Sequence, residues 1–311
     1  MVEIRFTSIV AAILITAGLT TGAHATPPLL RTSAAARTFD ACKASTGAAF
    51  DSCKLEAQSD KSLAKGKCAN LPDRTAGKAC AEQASAEAKD ARDTCKAQRD
   101  ARQAVCTRLG PAPYAPAIDP AHFVATIDNS FFPLAPGTTF IYEGQTSQGL
   151  ERDEFAVTHN TKVIMGVTCV EVQDTVKVDG ELIEDTLDWF AQDEDGNVWY
   201  FGENAKQLAG GLIVGLEGSW TAGVDGAQPG IVMEAHPAIG DFYLQEFLLK
   251  DAEDMAEVVS LTESVTVPVS PTAFDNCLKT KETSPLEPDV LENKFYAAGV
   301  GNLLTIDLDT G

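Results

Sequence analysis

Cysteine is the residue type in this 311-residue chain whose spacing most plainly implies chemistry. Six of the eight stand at 42, 53, 68, 80, 95 and 106, separated by 11, 15, 12, 15 and 11. The series is a palindrome, and the index pairs 42/106, 53/95 and 68/80 share one sum, 148. Residues facing each other across an antiparallel hairpin have a constant index sum. Three nested disulfides are therefore expected: Cys42–Cys106, Cys53–Cys95 and Cys68–Cys80. A metal-binding cysteine cluster fits less well, because zinc sites favour close C-x2-C pairs and none occurs. The last two cysteines, Cys169 and Cys277, fall on predicted strands. A Cys169–Cys277 bridge is the simple expectation, with two buried thiols acting as small apolar residues as its alternative.

Other candidate chemistry is sparser. Asp193-Glu194-Asp195-Gly196-Asn197 resembles the start of a calcium loop, with oxygen ligands on Asp193, Asp195 and Asn197 and a glycine for the bend. The bidentate Glu of such a loop is missing, since position 204 is Asn. Asp-Gly before a strand is also a strong hairpin signal, so a plain β-turn is the expectation and calcium the weak alternative. His122, His159 and His236 show no metal-ligand spacing. Gly218-Ser219-Trp220 lacks the closing glycine of a nucleophile elbow. There is no P-loop and no dinucleotide fingerprint, so no catalytic residue and no cofactor is assigned. The many Asp and Glu residues could conceal a glycosidase-type carboxylate pair, but spacing alone does not show which converge.

The elements that position these residues read as follows. Residues 1–25 have the plan of an export signal: Arg5, an apolar stretch from Ile9 to Leu19, and Ala23-His24-Ala25 as a small-x-small cleavage site. A retained anchor is the alternative, though the stretch is short for a bilayer. Export agrees with ordered disulfides, pointing to a secreted or periplasmic protein. Residues 38–108 are rich in Ala, Lys, Arg, Asp, Glu and Gln, good helix formers for the most part. Eleven- and fifteen-residue steps overshoot whole helical turns by only about 20° and 60°, which keeps each helix's cysteines within one quadrant. Asn70-Leu71-Pro72-Asp73 breaks the helix next to the symmetry point, Arg74. A helical hairpin results, its seam lined by Ala49, Ala57, Ala64, Ala84, Ala88 and Ala91. Alanine buries little area, so the disulfides must supply much of its stability.

Residues 109–117, with Gly110, Pro111, Pro113 and Pro116, read as a stiff linker. Residues 118–311 then lose helical periodicity. Strands are expected at Thr138–Gly144, Glu154–His159, Thr168–Val178, Glu184–Ala191, Asn197–Phe201, Phe242–Leu249, Ser264–Val269, Cys277–Glu282 and Lys294–Tyr296. Asp251–Ser260 is the one expected helix, and Leu212-Ile213-Val214 a mobile edge hairpin or loop. The fold class is α+β: a disulfide-laddered helical hairpin followed by a large, mainly antiparallel curled sheet or incomplete barrel. Charge follows the same division. Residues 38–108 carry 13 Lys+Arg and 10 Asp+Glu, net +3, whereas residues 111–311 carry 8 and 34, net −26. Such a domain repels phosphate, which argues against nucleic acid as a partner. Phe190, Trp199, Phe201, Trp220 and Tyr243 are candidates to line a pocket on the concave face.

Ile127-Asp128-Asn129-Ser130-Phe131-Phe132-Pro133-Leu134-Ala135-Pro136-Gly137-Thr138, Asp188-Trp189-Phe190-Ala191-Gln192-Asp193 and Tyr296-Ala297-Ala298-Gly299-Val300-Gly301 together resemble a group of exported bacterial proteins without assigned function. The closing Tyr-x-x-Gly-Val-Gly is also similar to the last strand of periplasmic curled-sheet proteins of the lipoprotein-carrier kind. Asn302 departs from that pattern, where an apolar residue is usual, and a disturbance of the final strand is expected there. The resemblance implies a curled antiparallel sheet and no catalytic residues. The expected function is non-enzymatic, the binding of an apolar ligand, a lipid or an envelope protein. A hydrolase acting through unlocated carboxylates and a structural or adhesive envelope component are the alternatives.

Overall fold

The computed structural model describes residues 39–308, so the expected export signal lies outside the described residues. Two helices come first, α1 (Ala41–Ala69) and α2 (Arg74–Leu109). Asp40 caps α1 by accepting from Lys43 N at 3.0 Å, and Asp73 caps α2 by accepting from Thr75 N and Ala76 N at 2.6 and 3.1 Å. Both caps satisfy helix N–H groups that have no partner within the helix. Cys42–Cys106, Cys53–Cys95 and Cys68–Cys80 are bonded as the index sum requires, with Cα separations of 5.6, 5.8 and 5.5 Å. Three disulfides suit an oxidising environment outside the cytoplasm. Between the rungs Ala49, Ala57, Ala84 and Ala88 are buried. Among the described residues no helix is long and apolar enough to cross a membrane.

Sixteen strands follow among the described residues. In chain order they are β1 (Phe123–Val124), β2 (Thr139–Gln145), β3 (Leu150–Ile164), β4 (Val167–Val178), β5 (Glu181–Asp193) and β6 (Val198–Asn204). Next come β7 (Gln207–Ala209), β8 (Leu212–Gly215), β9 (Trp220–Thr221), β10 (Gln228–Met233), β11 (Phe242–Leu244) and β12 (Glu246–Phe247). The last four are β13 (Met255–Val265), β14 (Phe274–Thr283), β15 (Leu291–Ala297) and β16 (Gly301–Asp307). One sheet has the spine β12-β10-β6-β5-β4-β3-β2, the other the order β11-β13-β14-β15-β16. Together they make a curled, antiparallel half-barrel, and the α+β class holds. Their edges approach at two places. Gly230 on β10 has no side chain to collide with the backbone of Gln245, which a Cβ there would do. On the other side Tyr142 OH donates to Asn302 O at 3.4 Å and Gly299 N to Ser130 O at 2.6 Å.

Period-two alternation divides each strand between two faces. Val157, Val172, Phe190, Val198, Tyr243, Val258, Leu278 and Tyr296 turn into the curl and pack as one cluster. Val167, Cys169, Trp189, Ala191 and Phe201 belong to a second cluster on the opposite face of the first sheet. Two expectations need correction. Asp251–Ser260 is not a helix: its second half belongs to β13, where β-branched Val258 pairs with Thr280 of β14. Cys169 and Cys277 are not bonded; both are buried free thiols in separate clusters, one on each sheet. Burial pushes the Cys169 thiol up to about 12, so it is inert as a nucleophile. Leu212–Gly215 does form an edge hairpin with β7. The disturbance expected near Asn302 is a register shift between β15 and β16, at Phe295/Tyr296.

The hairpin's alanine seam is thin, so the rungs carry its stability. Replacing Cys53 and Cys95 together by serine is expected to cost about 2–4 kcal/mol. Urea unfolding followed by far-UV circular dichroism checks this, and an unchanged midpoint would show that the seam holds without its central rung.

Candidate functional site

The hairpin lies along the outer face of the second sheet, and charged side chains fasten it there. Arg102 of α2 and Glu253 form a two-bond fork, Nε to Oε2 and Nη2 to Oε1, both 2.7 Å. Their side chains are only 6% and 5% exposed. Arg108 makes a second fork to Glu257 at 2.7 and 3.0 Å and lies 4.0 Å from the centre of the Phe242 ring. Hydrogen bonding to Arg108 lowers the Glu257 pKa. Lys250 reaches back to Glu56 and Ser52 on α1, and Gln98 donates to Leu286 O at 2.8 Å. Residues from Asp40 onward belong to one compact unit.

Where hairpin and sheet diverge, a cavity of about 310 Å³ remains. Val105 and Leu109 of α2 line one wall, and Leu244, Phe247, Leu249 and Met255 the other. Ala112, Pro113 and Tyr114 close one side. The segment expected as a linker is thus part of the wall: Tyr114 packs edge-on against Phe247 at 5.7 Å and donates to Pro229 O at 3.0 Å. Ser45, Thr46 and the Arg102–Glu253 pair supply the polar side chains. A mostly apolar hollow of this size with a few fixed polar groups has the make-up of a small-molecule site.

The five aromatic pocket candidates do not converge. Phe190 and Tyr243 point into the curl and Phe201 lies in the outer cluster with Trp199 packed against it, whereas Trp220 meets the Tyr200 ring at 5.3 Å and donates to Glu246. Inside, Phe190 stacks on Tyr200 at 4.8 Å and meets Phe132 at 5.5 Å, so that part of the curl is packed core. Asp193 closes the Asp193–Asn197 turn. Its Oδ1 accepts from Asn197 N, and its Oδ2 from Asn197 Nδ2 and Trp199 Nε1, at 2.8–2.9 Å. Asn197 Oδ1 accepts in turn from Ala235 N. The oxygens of the calcium candidate thus serve the turn, and Asp195 stands beside a separate hollow of about 170 Å³. Among the described residues no three His, Cys, Asp or Glu side chains are set to hold a metal ion.

The sequence did not single out a group of carboxyls inside the curl. Asp153 (β3), Asp174 (β4) and Glu203 (β6) are half-buried, and Asp188 (β5), Glu246 (β12) and Glu282 (β14) are buried. Tyr200 OH donates to Asp188, Trp220 Nε1 to Glu246 at 2.7 Å, and Lys294 Nζ lies 2.8 Å from Glu282. Asp153 and Asp174 lie within hydrogen-bond reach of each other. Each has a buried Oδ1 without a protein donor, a conflict that one shared proton relieves. Burial first, then neighbouring carboxylates, push Asp174 up to about 9 and Glu203 up to about 10. Burial likewise raises Asp188 to about 7 and Glu246 well above the carboxylate range. No protein family, curated protein or solved structure matches this chain.

These raised values tie stability to pH. The folded chain keeps protons that the unfolded chain gives up above about pH 4. Their contribution is complete below that point and is lost as pH climbs through about 9 and 10. The melting temperature is expected to be higher near about pH 5 than near about pH 9, with Asp174→Asn flattening the profile and raising its alkaline arm. Calorimetry across that range tests this, and a melting temperature that rose with pH would contradict it.

Proposed function

We propose that this protein is an exported, secreted or periplasmic binding protein that holds a small apolar molecule between its helical hairpin and the second sheet. One observation carries the reading: a cavity of about 310 Å³, walled by Val105, Leu109, Leu244, Phe247, Leu249 and Met255, with a single buried ion pair among them. The hollow is half open and walled mainly by apolar side chains, so it leaves apolar area facing water that a ligand would cover. The resemblance of Tyr296–Gly301 to lipoprotein-carrier-like sheets points towards apolar cargo as well. Here, however, the cargo would sit outside the curl, whose interior is filled by Phe190, Tyr200 and their neighbours.

The Asp153–Asp174 pair favours a second reading, an extracytoplasmic hydrolase with one carboxyl as acid and the other as base. Two variants separate the readings. Val105→Trp fills the cavity and is expected to weaken apolar-ligand binding at least tenfold, with circular dichroism unchanged. Asp174→Asn would leave that binding intact and abolish any hydrolytic turnover. Equilibrium dialysis with naphthalene as the probe decides the first reading: no uptake by the wild-type protein, or equal uptake by Val105→Trp, would overturn it.

A further inference from the structure

We infer that the cavity's occupant is an uncharged apolar molecule carrying one hydrogen-bond acceptor, a ketone, ester or amide carbonyl, which is received by Arg102. This rests on the cavity-binding reading above and specifies the ligand's head group. Arg102 lines the cavity, and its side chain is 6% exposed. Glu253 engages Nε and Nη2, and that fork leaves three of the five N–H groups, two on Nη1 and one on Nη2, outside the pair. A guanidinium has five donors and no acceptor, and no Arg102 nitrogen is among the buried atoms left without a partner, so its spare N–H groups keep access to the cavity that Arg102 lines. The other polar groups along the wall are already engaged. Glu253 Oε1 also accepts from Lys250 N at 2.6 Å, Ser45 Oγ donates to Cys42 O at 2.9 Å, and Thr46 Oγ1 rests 3.6 Å from Cys106 Sγ. The spare N–H groups of Arg102 are therefore the donors left to a molecule that fills the space.

Charge decides what kind of acceptor it meets. Glu253 already balances the Arg102 guanidinium, so a carboxylate head would put a second anion beside a buried one. It would also enter a segment, residues 111–311, whose net charge is −26. An ammonium head would face the guanidinium itself. A neutral carbonyl takes a spare donor and adds no charge, while its apolar body covers Leu244, Phe247 and Met255.

Naphthalene, acetylnaphthalene and naphthoate share a ring system and differ in the head group, so equilibrium dialysis of the full-length oxidised protein against the three tests the inference. Acetylnaphthalene is expected to bind roughly tenfold or more tighter than naphthalene, as one hydrogen bond from a charged donor implies, with naphthoate weakest. In the double variant Arg102→Met/Glu253→Gln, naphthalene binding should stay within about twofold while the ketone's advantage disappears. The infrared carbonyl stretch of bound acetylnaphthalene supplies a measurement on the wild-type protein alone and should move below its value in hexane. Uptake of none of the three would remove the binding reading itself. Equal affinity for naphthalene and its ketone, tightest binding of naphthoate, an unshifted carbonyl stretch, or a ketone preference that survives in the double variant would overturn the head-group assignment and leave the cavity reading standing.

Discussion

The hairpin's position on the sheet depends on the buried fork between Arg102 and Glu253. Taking two opposite charges out of water costs several kcal/mol for each ion, and only good geometry with further hydrogen bonds offsets that. Both conditions are met: the two bonds are 2.7 Å, and Glu253 has a third donor in Lys250 N. Such a pair adds little net stability, but it penalises any displacement that separates it. A slide of the hairpin along the sheet would leave an unmatched charge on each side. The disulfide ladder makes the hairpin stiff, the fork fixes where the stiff rod lies, and the cavity is the space the rod spans without filling.

One thin wall separates the two unusual regions of the molecule. Along β11, Leu244 faces the cavity and Tyr243 the interior of the curl; along β13, Met255 faces the cavity and Ala256 the interior. A strand alternates its side chains, so a shift of β13 acts on both faces at once. Inside the curl, Glu246 and Glu282 are held by Trp220 and by Lys294 with Thr280, close to the same strands. Filling the cavity and discharging the interior carboxyls therefore act on the same backbone. The formal net charge of −26 for residues 111–311 also overstates the field outside. Asp174 and Glu203, with values near 9 and 10, are mainly protonated at neutral pH.

Much of this architecture was legible in the sequence because its causes are local or arithmetical. The palindromic cysteine spacing determined the rung pairs, and Pro72-Asp73 marked the turn, since helix breaking and capping act within a few residues. Most strands followed from period-two alternation. Asp251–Ser260 misled because Ala252, Met255 and Ala256 suit a helix, whereas tertiary pairing with β14 decides the matter. Cys169 and Cys277 misled because redox compartment says which cysteines can pair, not which ones meet. The cavity had no sequence signature at all: Val105, Tyr114, Leu244 and Met255 come together only through the docking of the hairpin.

The interior carboxyls did leave a mark. Asp153 is in phase with Phe155 and Val157, Asp174 with Val170 and Val172, and Asp188 with Phe190, so each Asp occupies a position that alternation assigns to the core. A single acidic residue on the apolar phase of a strand ordinarily signals an edge or a bulge. Three of them on consecutive, paired strands signal something else. β3, β4 and β5 are neighbours in one sheet, so the three side chains must share one side of it and approach one another. Like charges cannot gather in that way unless protons or cations accompany them. Phase, read across strands rather than along one, is the level at which this buried acid group could have been found.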